Sequence, residues 1–214
     1  MPGTLVQAAE PIKIGLILPI TGPAAAYGDM ALSGIKLAQA DRPKVLGRSV
    51  KLILTDNKSD KVESTNAANR LIQRDQVDAI IGALSSSPTL AAAPIAEKAG
   101  IPLVSGWATN PLVTKGKKYV FRTCFIDPFQ GGVAANFAYK DLKARKAAVM
   151  MDVSRDYSVG LGSFFIRSFK KLGGKVVHLA KYSHGDQEFS AQLGTIKAAQ
   201  PDIIYLPGYL PQEP

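Results

Sequence analysis

One loop of the sequence has residues that could hold a small carboxylate, and a second adds further polar groups. Leu84-Ser85-Ser86-Ser87-Pro88 places three hydroxyls ahead of a proline, with helix-forming residues after it. Proline is favoured at the first helical position, and a serine just before it is a good cap. A helix start also offers free backbone N–H groups and the positive end of the helix dipole, which together suit an anion. Two readings stay open for this segment: its serines bind a carboxylate, or they only cap the helix. The second loop, Ser105-Gly106-Trp107-Ala108-Thr109-Asn110-Pro111, adds hydroxyls, free carbonyls and the chain's single tryptophan. Tyr157 and Tyr209 each follow an expected strand, as ligand-facing aromatics or as exposed turn residues.

Other chemistry is hard to build from this sequence. There is no GxxxxGK[ST], no GxGxxG opening a helix after the first strand and no GxSxG, so a Rossmann-type enzyme lacks its fingerprint. The two histidines, His178 in a strand-like run and His184 in a turn, are too few for a metal cluster. Cys124 has no histidine partner and reads as a buried small thiol, and a single cysteine forbids an intrachain disulfide. Asp56-Asn57-Lys58-Ser59-Asp60 begins like a calcium loop, but Lys58 stands where an oxygen ligand belongs and the glycine is missing. Turn and cap chemistry explains it better. No catalytic residue, metal ligand or cofactor is expected, and the protein is not read as an enzyme.

The elements that must position these loops follow from length and patterning. At about 150 residues per domain, 214 residues allow one large domain, or one domain and part of another. A hydrophobic share of 46% and a charged share of 20% describe an ordinary globular chain. No apolar run approaches the ~20 residues of a membrane span. The net charge of +9 comes from basic pairs and short clusters without interleaved aromatics, so it reads as a solvated surface and not as a nucleic-acid footprint. Strand-like runs at 12–17, 50–54, 79–81, 102–104, 119–122, 146–151, 175–180 and 203–206 alternate with helical faces at 27–38, 67–72, 88–99, 129–142, 161–172 and 189–199. That alternation predicts an α/β fold of parallel sheets covered on both faces, doubly wound by right-handed crossovers. The helix-poor stretch 104–118 and the break at Asp127-Pro128 divide the chain. Residues 1–11 are an N-terminal extension or a leader remnant, 12–126 a first lobe, and 127–214 an unfinished second lobe. In open α/β sheets ligands bind beyond the carboxyl ends of the strands, where the two loops lie.

The ordered segments TGPAAAYGD, DNKSD, IIGALSSS, IPLVSGWATNPLVT, FRTCFIDPFQG, DYSVGL, GDQEFSAQL and IIYLPGY run from about Ile12 to Pro211. Together they closely resemble the branched-chain (Leu/Ile/Val) amino-acid binding type of periplasmic binding protein, which serves ABC importers. The resemblance implies a type I periplasmic binding fold, with two α/β lobes joined by three crossing strands and the ligand between them. It implies that Ser86, beside Leu84 and Ser85, binds the ligand carboxylate. Thr109, next to Ala108, binds carboxylate and amine, and the Trp107 carbonyl binds the amine. Tyr27 matches an aromatic lid, and Tyr157 and Tyr209 match residues that close from the second lobe. Trp107 is bulky where some relatives have a small residue. Relatives are considerably longer, and the acidic partner of the ligand ammonium is expected beyond Pro214. The resemblance further implies an extracytoplasmic protein whose partners are an amino acid and a membrane permease. A complementing second chain or a homo-oligomer would complete the second lobe. The alternatives are a fragment or an engineered or self-assembling module of such a protein, with weak or no ligand binding, or the ligand-sensing domain of a regulator.

Overall fold

The computed structural model describes residues 9–209. The apolar run IKIGLIL forms strand β1 (Ile12–Leu18), buried from Gly15 onward as a two-faced inner strand must be. The chain continues through α1 (Ala25–Asp41), β2 (Lys44–Val45), β3 (Arg48–Asp56), α2 (Lys61–Gln73), β4 (Ala79–Gly82), α3 (Ser86–Ala99), β5 (Leu103–Ser105) and β6 (Val120–Arg122). These strands make one sheet in the order β2-β3-β1-β4-β5-β6, parallel except for the β2–β3 pair. The order reverses at β1. The chain steps outward from β1 to β3, then back past β1 to β4 and on to β5. Right-handed crossovers therefore put α1 on one face and α2 and α3 on the other. On the α2/α3 face Ile17, Ile80, Leu103 and Val120 pack under Ala67, Ala68 and Leu71 of α2 and Ala92, Ala93 and Ala96 of α3.

A second sheet follows. It is built from β7 (Lys146–Asp152), β8 (Lys175–Tyr182) and β9 (Ile203–Tyr205) in the parallel order β8-β7-β9. Helices α4 (Asp127–Asn136), α5 (Asp156–Lys171) and α6 (Ser190–Ala198) accompany it. β7 is central and its side chains alternate faces. Ala147, Val149 and Met151 enter a core with Phe165 and Phe169 of α5, whereas Ala148 and Met150 meet Ile196 of α6. The expected α/β fold with two doubly wound parallel sheets is thus observed, three strands of the second sheet being present. β6, the last strand of the first sheet, ends at Arg122, and β7, the first of the second, begins at Lys146.

Local readings needed correction. The exposed two-residue strand β2 leaves no periodic trace in sequence and was not anticipated. α3 starts at Ser86, two residues before the expected start at Pro88, so the proline lies within its first turn. Asp127-Pro128 is not a break but the first turn of α4, where an acidic residue and a proline are both favoured. The end of the expected 129–142 helix is a π-helical turn, Phe137–Asp141. The apolar face predicted for 27–38 is only partly covered. Gly28 is buried and Ile35 half-buried, but Met30 is 61% exposed, because among the described residues α1 alone covers its face of the first sheet. Cys124 is half-buried, with its thiol pushed up by burial. No described helix is long and apolar enough to cross a membrane.

Candidate functional site

The serine loop begins where β4 stops. Gly82 has φ +144°, and a Cβ there would strike the Ile17 backbone, so glycine alone fits. Leu84 follows at φ 72°, a left-handed turn that delivers half-buried Ser85 to the N-cap of α3. The Ser85 hydroxyl makes no capping bond. Thr89 ties the turn instead: its hydroxyl accepts from the Ala83 N–H (3.2 Å) and donates to the Ser85 carbonyl (2.8 Å). Ser86 and Ser87 therefore sit inside the first turn of α3, both buried. The Ser86 hydroxyl accepts from the Asn110 N–H at 3.3 Å, which joins the serine loop to the second loop.

Arg122, on the neighbouring strand β6, shapes that second loop. Its guanidinium donates to the carbonyls of Ala108 (2.9 Å), Asn110 (2.8 Å) and Pro111 (3.1 Å) and to the Thr114 hydroxyl (2.7 Å). Ala108 also donates its N–H to the Ser105 hydroxyl (3.1 Å) and is fully buried. Thr109, held between these anchors, accepts the Asp127 N–H on its carbonyl at 3.0 Å. Asp127 opens α4 and is wholly buried. Among the described residues its two carboxyl oxygens and the Thr109 hydroxyl find no hydrogen bond of good geometry. Burial pushes the Asp127 carboxyl up, while the nearby Thr109 hydroxyl and the Arg122 charge pull the other way. Gly160 of α5 passes so close that a Cβ would lie 3.4 Å from a carboxyl oxygen of Asp127.

Aromatic side chains flank these groups in two pairs. Tyr27 meets Trp107 edge-on with ring centroids 4.8 Å apart, both from the first lobe. Tyr157 and Tyr209 of the second lobe lie 5.1 Å apart, and the Tyr157 hydroxyl accepts from the Gln130 side chain at 3.4 Å. Tyr157 is half-buried in the first turn of α5, so of the two readings left open in sequence the exposed turn residue does not apply. Its hydroxyl, like that of Tyr209, is pushed up mainly by burial, and Tyr209 lies beside Ser85 across the cleft. Of the residues singled out in sequence, Thr109, Tyr157 and Tyr209 lie near Asp127. Ser85 lies beside Tyr209, and Ser86 is bonded to the Thr109 loop through the Asn110 N–H. Leu84 and Ala108 act through backbone geometry, and Tyr27 and Trp107 meet each other as a separate aromatic pair.

The arrangement suits a zwitterion. Hydroxyls at a helix start face one charge, and a buried carboxyl faces the other. Sequence reasoning missed Asp127 and Arg122. An aspartate ahead of proline and an apolar helical run is a helix-start signal that could have marked Asp127. Arg122, ending an apolar strand, carried no signal for its four loop contacts.

A family model described as periplasmic binding protein matches residues 11–211. A leucine-, isoleucine-, valine-, threonine- and alanine-binding protein of Pseudomonas aeruginosa is 32% identical over 210 residues, covering 96% of this chain and 56% of that protein. The crystal structure of a leucine binding protein from Thermotoga maritima superposes with a TM-score of 0.89 at 50% identity, covering 91% of this chain and 55% of that one. A branched-chain amino acid transporter substrate binding protein from Streptococcus pneumoniae, solved in complex with isoleucine, gives 0.85 at 34% identity, covering 93% and 57%. The chain therefore spans a little over half the length of the relatives it matches.

Proposed function

This chain belongs to the periplasmic binding protein family, and from that membership we propose that it captures a small apolar α-amino acid for an ABC importer, in the cleft between its lobes. The observation that carries the proposal is the unpartnered, buried Asp127 carboxyl beside Thr109, with the Ser86 hydroxyl joined to the same loop. In this reading Ser86 and Thr109 hold the ligand carboxylate. The Trp107 carbonyl, Thr109 and Asp127 receive the ammonium, so an acidic partner is available within these residues. Leu84, Ser85 and Ala108 set the backbone, and Tyr27, Trp107, Tyr157 and Tyr209 enclose the side chain. The names of the relatives support branched-chain ligands. The process is capture, not catalysis. It takes place outside the cytoplasmic membrane, with a membrane permease as the receiving partner and the lobes meeting near residues 126/127.

Isothermal titration with L-leucine, L-isoleucine and L-valine tests this reading. Ser86→Ala and Thr109→Ala are each expected to weaken binding by about 1.5–3 kcal/mol, the worth of a hydrogen bond to a charged group. Unchanged affinity in both variants would overturn the assignment.

A further inference from the structure

The DNKSD turn, which the ligand site does not use, is the first-lobe half of a second contact between the lobes. The turn is rigid. The Asp56 carboxylate accepts from the N–H groups of Ile20 and Lys58, both at 2.9 Å, and from the Thr21 hydroxyl. The fully buried Asn57 donates to Ser64 and to the Ala83 carbonyl, and Asp60 caps α2 through the N–H groups of Val62 and Glu63. This frame presents the Ser59 carbonyl to Arg155 and the Lys61 ammonium to Asp156. The second lobe brings Arg155 and Asp156, the residues that open α5.

Four bonds join the two halves. Arg155 donates to the Ser59 carbonyl at 3.0 Å, and Lys61 reaches the Asp156 carboxylate at 2.9 Å. The Asp156 N–H donates to the Ser87 hydroxyl at 2.8 Å, and Asn110 donates from its side chain to the Asp156 carbonyl at 3.0 Å. Asp156 thus bonds the first lobe through its amide, its carbonyl and its carboxylate. Burial pushes its carboxyl up, but Lys61 and Ser87 outweigh that and carry it below the ordinary range. None of the four bonds uses Ser86, Thr109 or Asp127.

We infer that Asp156, with Lys61, Ser87 and Arg155, is a closure latch whose bonds set how long a captured ligand is retained without touching it. The inference rests on the reading of the cleft as the ligand site. In this reading the ligand-free chain also samples the closed arrangement and the bonds favour it; they act on the departure of ligand more than on its arrival, because ligand enters the open arrangement. Lys61 and Asp156 are 52% and 39% exposed in their side chains, which limits the strength of that pair.

The test is stopped-flow fluorescence of Trp107, the single tryptophan, with L-leucine as probe. It uses the purified protein, Lys61→Met, Asp156→Asn and the double variant. Each single change is expected to raise the off-rate about 2–5-fold with the on-rate unchanged, a range set by measured exposed pairs. The double variant is expected to be no faster than the worse single, since both changes remove one interaction. Unchanged off-rates, additive effects or a loss confined to the on-rate would overturn the latch. Small-angle scattering of the same four proteins without ligand gives a readout independent of the ligand site. A broader distance distribution in the variants supports the latch, and identical profiles overturn it. Absence of leucine binding by the unaltered protein would count against the ligand reading alone, leaving scattering to decide the latch.

Discussion

Asp127 is where burial and charge conflict most sharply. Its carboxyl is wholly buried without a well-formed hydrogen bond among the described residues, and burial raises its pKa despite Thr109 and Arg122. An acid whose pKa is higher folded than unfolded favours the fold below the unfolded value of about 3.9. That contribution is lost as pH rises through the folded pKa. Asp127→Asn should therefore stabilise the ligand-free protein at neutral pH by about 1–3 kcal/mol, the cost of an unsatisfied buried group. Urea denaturation at pH 4 and pH 7 would show it, and equal gains at both values would refute the account. The same substitution should weaken amino-acid binding. In the unaltered protein, affinity should fall as pH drops through a value above the ordinary carboxylate range, because an ammonium needs the ionised acid.

At the scale of elements, the site depends on how closely α4 and α5 approach. α4 carries Asp127 and α5 carries Tyr157, and Gly131 allows the contact. A Cβ on Gly131 would lie 2.8 Å from both the Cβ of Phe164 and the amide nitrogen of Phe165, whereas one on Gly132 would meet only the Ser168 hydroxyl at 3.9 Å. Gly131→Ala should thus cost about 1–3 kcal/mol through overpacking. Gly132→Ala should gain up to about 1 kcal/mol through helix propensity. Chemical denaturation of the pair separates the two effects, and equal responses would contradict the packing argument.

For the whole molecule, a ligand gripped from both lobes should stabilise it by mass action. At about 100 times the dissociation constant the gain is about 2.7 kcal/mol. For a chain of this size that corresponds to a Tm rise of about 5–10 °C. Thermal unfolding with L-leucine should show this rise, and an apolar acid without the amine should give distinctly less. Equal shifts from both would argue against a role for Asp127. The +9 charge plays little part in this expectation. Among the described residues only Lys61, Arg70 and Arg74 form ion pairs, so most of the excess basic charge faces solvent.

Apolar runs alternating with helical periods indicated the strand and helix series, because run length and flanking turn residues separate a buried strand from a buried helix. The ordered motifs likewise sufficed to bring Ser86, Thr109 and Tyr157 forward as candidates. The exposed strand β2 and the exact start of α3 were not legible, since neither leaves a period. Only the tertiary structure decided the rest. Asp127 entered the proposed site when α4 was set against the Thr109 carbonyl, Arg122 became the clamp of a loop beside the neighbouring strand, and Asp156 came to bond Ser87. Each role depends on partners far along the chain, 69 residues away for Asp156 and Ser87, and local patterning carries no record of such distances.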